Sequence, residues 1–265
     1  MSKAAIELSE VKFTSSNLFS LNIDQFHLGY GEVLGITGPN GAGKTTFVKI
    51  CLGLARVDKG KVLVLGHDLI NATPAQKTIL RRKIGYVPQI LPSKPEAPLT
   101  VREVLAIGRT AVKGLFKKLD KVDREICDLW LEKLGIQHLA NRNFSTLSGG
   151  EQRKVCIARA MVKIPELLLF DEPCANLDLG WREKVVDSIQ MVCESTKLTA
   201  IIVAHEPDSF PVCCRRIVLF ESGRITKDSV PEKVLTSETI SRIYGIDLLM
   251  LHENGRHWTA PKSNQ

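Results

Sequence analysis

The run Gly38-Pro39-Asn40-Gly41-Ala42-Gly43-Lys44-Thr45-Thr46 has the residue types and spacing of a phosphate-binding loop. Glycines let successive backbone N–H groups turn inward around an anion. The free N–H groups and positive dipole end of a following helix face the same point. Lys44 adds a full positive charge for terminal phosphates. The Thr45 hydroxyl can complete the shell of a Mg²⁺ ion, which accepts few protein ligands and keeps several waters. Both flanks agree, since Val33 to Thr37 reads as a buried strand and Phe47 to Leu54 has helical apolar spacing. A glycine-rich hairpin explains neither the lysine nor the flanks, so the stretch implies a nucleoside triphosphate site.

Two further stretches carry chemistry. Leu167-Leu168-Leu169-Phe170 is an apolar strand ending in Asp171 and Glu172. An acid at that tip can hold Mg²⁺, and the next acid can face the water that attacks a terminal phosphate. Such a strand is common by itself; downstream of a phosphate loop it gains meaning. Leu147-Ser148-Gly149-Gly150-Glu151-Gln152 opens a helix running to Met161, with Ser148 and Glu151 spaced as a capping box. The box leaves two glycines in the first turn unexplained, each costing about 1 kcal/mol against alanine. Bare N–H groups at a helix start form a second candidate anion site.

The elements that position these groups alternate between strand and helix. Ile6 to Phe13 and Leu21 to Leu28 partly alternate as half-buried strands, and Gly29-Tyr30-Gly31 turns into the phosphate-loop strand. Strands are predicted at Lys61 to Leu65, Ile84 to Pro88, Leu167 to Asp171, Thr199 to Ala204 and Ile217 to Glu221. Pro92, Pro95 and Pro98 break regular structure until Thr100 caps a helix at Val101 to Arg109. Asp123 to Leu134 is periodic with Gly135 as a C-cap, and Arg182 to Thr196 is helical. This alternation implies a parallel sheet, with a helical insert of roughly Gln89 to Ile164 and short helices at the C-terminus.

Composition limits the classes. With 44% hydrophobic and 25% charged residues the chain is of ordinary globular type. The net charge of +7 is scattered, with short clusters at Arg81-Arg82-Lys83 and Lys117-Lys118, and no nucleic-acid-reading motif accompanies it. Direct nucleic-acid binding is therefore not expected. The seven cysteines include no C-x-x-C pair, and Cys213-Cys214 are adjacent, which suits reduced thiols better than a disulfide framework or zinc site. Met1 to Glu10 does not read as a signal peptide, and no apolar run approaches the roughly 20 residues that span a bilayer. A membrane role would come through a partner chain.

Taken together, GPNGAGKTT at Gly38 to Thr46, Gln89, LSGGEQ at Leu147 to Gln152, LLLFDEP at Leu167 to Pro173, Leu177-Asp178 and His205 resemble, in order and spacing, the nucleotide-binding subunit of an ABC transporter. The resemblance covers nearly the whole chain. It implies an α/β fold: a P-loop NTPase core with a parallel sheet, an N-terminal antiparallel β-subdomain and a helical insert. The single domain 1–265 would comprise the core at 1–88 and 165–227, the helical subdomain with the signature motif at 89–164, and C-terminal short helices and tail at 228–265. It implies ATP and Mg²⁺ as cofactors, with Thr45, Gln89 and Asp171 on the metal. Lys44, Gln89, Glu172 and His205 would be catalytic. Two subunits would pair on ATP, as a homodimer or with a similar subunit, so that Ser148, Gly149 and Gly150 contact the partner's ATP while Asp178 sits at the seam. Gln89 would sense the γ-phosphate, and His205 would keep the phosphate and Glu172 in register.

Three departures stand out. The family has an aromatic ring ahead of the loop for adenine, where this chain has Ser15; either ATP binds more weakly or Phe13 or Phe19 substitutes, stacking being worth about 1 to 3 kcal/mol. Cys174 stands where threonine is common. Pro207 and Pro211 follow His205, and Pro211 should interrupt the helix that relatives run there.

The insert, from Gln89 to Pro98 through Leu99-Thr100-Val101, Gly108-Arg109, Gly114-Leu115 and Asp123-Arg124-Glu125-Ile126, resembles subunits of manganese and zinc importers. Iron-siderophore, haem and cobalamin importers are similar too, including the region of Ile243-Tyr244-Gly245. A solvated amphipathic helical lobe also explains each of these positions. The expected protein is an ATPase on the cytoplasmic, inner face of the cell membrane. It would power permease subunits and, through them, receive cargo from an extracytoplasmic binding protein. The alternatives are a soluble ABC ATPase acting on ribosomes or nucleic acid, and an ATP-binding regulatory module with weak hydrolysis.

Overall fold

The computed structural model describes residues 4–15, 19–89, 98–114 and 117–262. The expected loop through Pro92 and Pro95 lies outside the described residues. Strands β1 (Ala4–Thr14) and β2 (Ser20–Gly29) pair antiparallel and alternate between buried and exposed side chains, as their half-apolar patterns require. β3 (Val33–Thr37) is almost wholly buried, and helix α1 (Lys44–Cys51) follows the phosphate loop. The helix begins at Lys44, earlier than the apolar spacing from Phe47 indicated, because the last loop residues already take helical dihedrals. β4 (Lys59–Val64) and the short β5 (His67–Asp68) complete an antiparallel sheet of order β2-β1-β4-β5.

Helix α2 (Pro74–Arg82) and strand β6 (Ile84–Val87) come next. The sequence pattern did not mark α2, since only Leu80 on it is buried; its start is nevertheless written as a Thr73/Gln76 capping box with Pro74 at the first turn. The insert contains α3 (Val101–Lys113), α4 (Lys121–Lys133) and α5 (Gly149–Met161), each started by a capping box, at Thr100/Glu103, Asp120/Asp123 and Ser148/Glu151. Asp123 is buried and ion-paired to Arg109 at 2.8 Å and to Lys113, which locks α3 to α4.

β7 (Leu167–Asp171), α6 (Leu179–Thr196), β8 (Thr199–Val203), β9 (Arg216–Glu221) and β10 (Arg224–Ser229) return the chain to the core. α6 starts three residues before the predicted Arg182, since Asp178 caps it. The second sheet has the order β10-β9-β3-β8-β7-β6, parallel except for β10. Both faces are covered. In β7, Leu168 and Phe170 point to the core shared with the helical insert, while Leu167 and Leu169 point to the core shared with α1 and the first sheet. Phe47 of α1 is fixed there by edge contacts with Phe26 and Phe220, centroids 5.0 and 5.5 Å away.

The C-terminal part differs from expectation. Besides the short helices α7 (Pro231–Val234) and α8 (Ser237–Tyr244) it contains a hairpin, β11 (Leu248–Glu253) and β12 (Arg256–Pro261). Asn254 and Gly255 turn it with φ of 50° and 75°. That Asn-Gly pair is a strong hairpin signal, although the two strands it joins leave most of their side chains exposed or half-buried.

Candidate functional site

Strand order creates the site. Because β3, β8, β7 and β6 are neighbours and parallel, their C-terminal ends line one edge of the sheet. The phosphate loop leaves β3, His205 follows β8, Asp171 and Glu172 end β7, and Gln89 follows β6. Segments far apart in the chain thus lie side by side at strand spacing, at the carboxyl edge where open α/β sheets bind ligands.

The loop wraps a cleft of about 390 Å³ lined by Phe19, residues 40–46, Gln89 and Glu172. Gly38, with φ of 144°, has no room for a side chain: a Cβ would sit 2.0 Å from the Phe220 carbonyl oxygen. α1 has a left-handed Gly43 at its N-cap, no side-chain acceptor on its first N–H groups and no acid in its first turn. Lys44 is 4% exposed, and its ammonium donates to the carbonyls of Gly38 (2.8 Å) and Pro39 (2.9 Å). Burial brings its pKa down to about 8, against the opposing pull of Glu172 and Asp171.

Thr45 Oγ1 donates to Asp171 Oδ1 at 3.2 Å, and the Tyr86 hydroxyl donates to Oδ2 at 3.4 Å. Burial raises the Asp171 carboxyl, with Glu172 adding to the rise and the Thr45 bond opposing it. A half-buried hydroxyl and a buried carboxylate side by side form a hard-oxygen donor pair, and that set fits Mg²⁺.

Glu172 sits at φ of 49°, a conformation a glutamate adopts at a cost of about 1 to 3 kcal/mol. Its N–H bonds the Val203 carbonyl at 2.9 Å, which holds the strained turn to β8. One carboxylate oxygen lies 2.6 Å from His205 Nε2, and the other accepts from Gln89 Nε2 at 2.5 Å. Burial pushes this carboxyl up, but the His205 contact, the Lys44 charge and the Gln89 bond outweigh it and hold the pKa below the usual range. His205 Nδ1 lies 3.4 Å from the Lys44 ammonium, which can only donate. That assigns the lone pair to Nδ1 and the proton to Nε2, facing Glu172.

The remaining residues singled out in the sequence lie elsewhere. Ser148 and Gly149 are exposed and, with Gly150 and Asp178, do not line the cleft. Ser148 Oγ accepts from the Glu151 N–H at 3.3 Å, and Glu151 accepts from Ser148 N–H and Oγ at 2.8 and 2.9 Å. A Cβ on Gly150 would meet the Trp181 ring at 2.2 Å, so one signature glycine is demanded by the packing of α5 on α6. Asp178 accepts from the Trp181 N–H at 2.9 Å. Ser15 donates its N–H to the Phe19 carbonyl at 2.8 Å, and Phe19 lines the cleft, whereas Phe13 packs against the core of the first sheet.

Several contributors were not found from the sequence. Arg153 on α5, 4% exposed, donates to the carbonyls of Pro88 (2.6 Å) and Gln89 (3.1 Å), tying the signature helix to the Gln89 segment. After His205 the chain makes a short 3₁₀ turn at Pro207–Ser209 in place of a longer helix, with Pro207 in its first turn and Pro211 just beyond it. Arg182 pairs with Glu206 and Asp208, both at 2.7 Å, and Tyr244 of α8 donates to the His205 carbonyl at 2.8 Å. The C-terminal unit therefore grips the backbone of the histidine. The only signal for Tyr244 was its place in a family-like segment.

Residues 21–175 match the family model described as ABC transporter, more than half of the chain. The chain belongs to that family, as an ATP-hydrolysing, ATP-binding subunit. It is 27% identical over 257 residues to a petrobactin import ATP-binding protein of Bacillus anthracis, covering 97% of this chain and 93% of that one. It is 33% identical over 205 residues to a zinc uptake system ATP-binding protein of Listeria monocytogenes, covering 77% of each. Among solved structures it is similar to a metal-chelate type ABC transporter in an inward-facing conformation, with a TM-score of 0.81, 25% identity and 99% of each chain covered.

Proposed function

We propose that this chain pairs with a second copy or a similar subunit around ATP and drives a membrane permease that imports a metal ion or metal chelate. The observation that carries the hydrolytic part is the Glu172 carboxylate, suspended between His205 Nε2 and Gln89 Nε2 at the rim of the cleft that the phosphate loop wraps. A carboxylate kept ionised there can orient a water and take its proton. The Nε2–H of His205 fixes the direction of the carboxylate, and Lys44 and the uncapped N–H groups of α1 bind phosphate oxygens. Thr45 and Asp171 would hold Mg²⁺, aided by Gln89. When bound, the ion neutralises charge on the transferring phosphoryl group.

Pairing is supported by the exposure of Ser148, Gly149 and Asp178 away from the cleft, where a second chain can reach them. Among the described residues no helix is long and apolar enough to cross a membrane. In the proposed transport role permease subunits cross it, and this chain sits on its inner face. Relatives of this chain are named for petrobactin import, zinc uptake, phosphonates import and molybdate or tungstate import, and among these we favour a metal ion or metal chelate as the cargo. An extracytoplasmic binding protein would present it. The test is affinity purification from gently solubilised membranes with mass spectrometry, followed by uptake assays. A polytopic permease with metal-dependent uptake supports the proposal. Recovery of ribosomal or DNA-bound proteins alone, or uptake of an unmetallated anion, overturns it.

A further inference from the structure

We infer that Cys193 and Cys213 form a peroxide-sensitive dithiol, which oxidises to a disulfide tying the end of α6 to the segment that leads from His205 into β9. Six of the seven thiols are buried, and Cys213 is the one with partial access to solvent. It opens onto a cleft of about 590 Å³ on the far side from the phosphate loop, and Cys193 lines the same cleft from the last turns of α6. The Cys213 N–H donates to Gln190 Oε1 at 3.3 Å, one helical turn before Cys193, which holds the segment against that face of α6. The two cysteines thus face the same cleft from neighbouring segments.

This is the arrangement of an attacking and a resolving thiol. The Cys193 S–H favours the thiolate at Cys213 and lowers its pKa, and Arg215 acts in the same direction, while burial and the Glu194 carboxylate oppose it. Lys197 and Glu32 also line the cleft. The neighbouring Cys213 and burial push the Cys193 thiol the other way, up from its ordinary range. The adjacent Cys214 is not the partner: its Sγ is turned to the other side, 3.0 Å from where a Cβ on Gly35 would lie, and it donates to the Arg216 carbonyl at 3.5 Å.

In the reaction, the Cys213 thiolate attacks one oxygen of hydrogen peroxide, an S–O bond forms, the O–O bond breaks, and the departing hydroxide takes a proton to become water. Cys193 then gives up its proton, its sulfur displaces the sulfenic oxygen as a second water, and the S–S bond forms. Two thiols lose two electrons and two protons to one peroxide. A dithiol reductant reverses the change. The closed ring, 193–213, encloses β8 and His205.

The experiment treats the full chain with hydrogen peroxide, alkylates free thiols in denaturant and maps peptides by mass spectrometry. Expected are loss of two of the seven alkylatable thiols, a Cys193–Cys213 linked peptide, and full recovery with dithiothreitol. Cys213→Ser should keep all its remaining thiols, and Cys193→Ala should stop at a Cys213 sulfenic acid trapped by dimedone. Retention of all seven thiols in the wild type, a link from Cys213 to Cys214 or to another chain, or no trapped sulfenic acid overturns the inference. None of these readouts depends on ATP.

Discussion

Two helices of this protein start on glycine next to residues suited to anions, and their N-termini are built in opposite ways. α1 begins at the left-handed Gly43 with no side chain on its first N–H groups, while Lys44, Thr45, Asp171, Glu172 and His205 converge within hydrogen-bond reach of one another. α5 begins at Ser148 with a closed capping box, so its own Glu151 already serves as the anion at the positive end. The first terminus has donors waiting and gains little stability until phosphate arrives. The second is stable alone, and what it offers a neighbour is the exposed Gly149 backbone beside a carboxylate. Glycine at a helix start is thus one signal with two physical meanings, and only the surrounding side chains tell them apart.

The largest effect that would test this contrast lies beside α1. Glu172→Gln keeps the shape and the Gln89 neighbourhood but removes the proton acceptor, so turnover is expected to fall about 10²- to 10⁴-fold with ATP binding retained and an ATP-bound dimer accumulating on size exclusion. Turnover at the wild-type rate would take Glu172 out of the water-activating role. Next comes Lys44. Removing it as Lys44→Ala should weaken ATP binding about 10- to 100-fold in equilibrium titration, the size of one or two charge-assisted hydrogen bonds.

The same lysine makes binding pH-dependent. Free of nucleotide its pKa lies at about 8; phosphate favours the protonated form, so binding above that pH must take up a proton. Affinity should be about tenfold weaker at pH 9 than at pH 7, and calorimetry in buffers of different ionisation enthalpy should record the uptake. A flat profile would mean that the phosphates do not engage this ammonium.

Smaller effects separate the two signature glycines. Gly150→Ala drives a Cβ into Trp181 and should cost about 1 to 3 kcal/mol in denaturant unfolding, recovered in part by a second change, Trp181→Leu. At Gly149 a Cβ would meet only Leu177 Cδ2 at 3.5 Å, so Gly149→Ala should be neutral or stabilising by up to about 1 kcal/mol. If ATPase activity then falls while stability holds, the paired reading gains. Equal losses of stability at both positions would show that the two glycines share one structural cause. Ser148→Ala, which opens the capping box, is expected to cost about 1 kcal/mol by thermal unfolding.

Much of the site was legible because its signals are local. The loop from Gly38 to Thr46, the strand Leu167 to Asp171 with its acids, and the capping boxes at Thr100 and Ser148 each depend on residues within a few positions of one another. Pro211 was a local sign that a helix after His205 would be interrupted, and the chain there makes only a 3₁₀ turn at Pro207–Ser209. Other features left weaker local traces: α2 buries one side chain, and each strand of the hairpin around Asn254-Gly255 buries one. The contacts of Arg153, Arg182 and Tyr244 were not legible, since each acts on a backbone carbonyl or ion-pair partner distant in the chain. The question left by Ser15 was likewise not answerable from spacing, because Phe19, not Phe13, lines the cleft, and that depends on how the strands pack.

What the amino-acid sequence determined by itself was therefore the inventory: a phosphate loop, two acids at a strand end, a capped glycine helix, a histidine after a strand, and the family they mark. Backbone dihedrals, caps and apolar periodicity are set over one or two turns of chain, so they survive reading in one dimension. The tertiary structure decided the arrangement: the strand order β3-β8-β7-β6 that lines up the four segments, the Nε2–H of His205 aimed at Glu172, the grip of Tyr244 on the His205 carbonyl, and the facing of Cys193 and Cys213. These depend on which buried faces match across the sheet and on burial shifting charge, and both are properties of the packed chain.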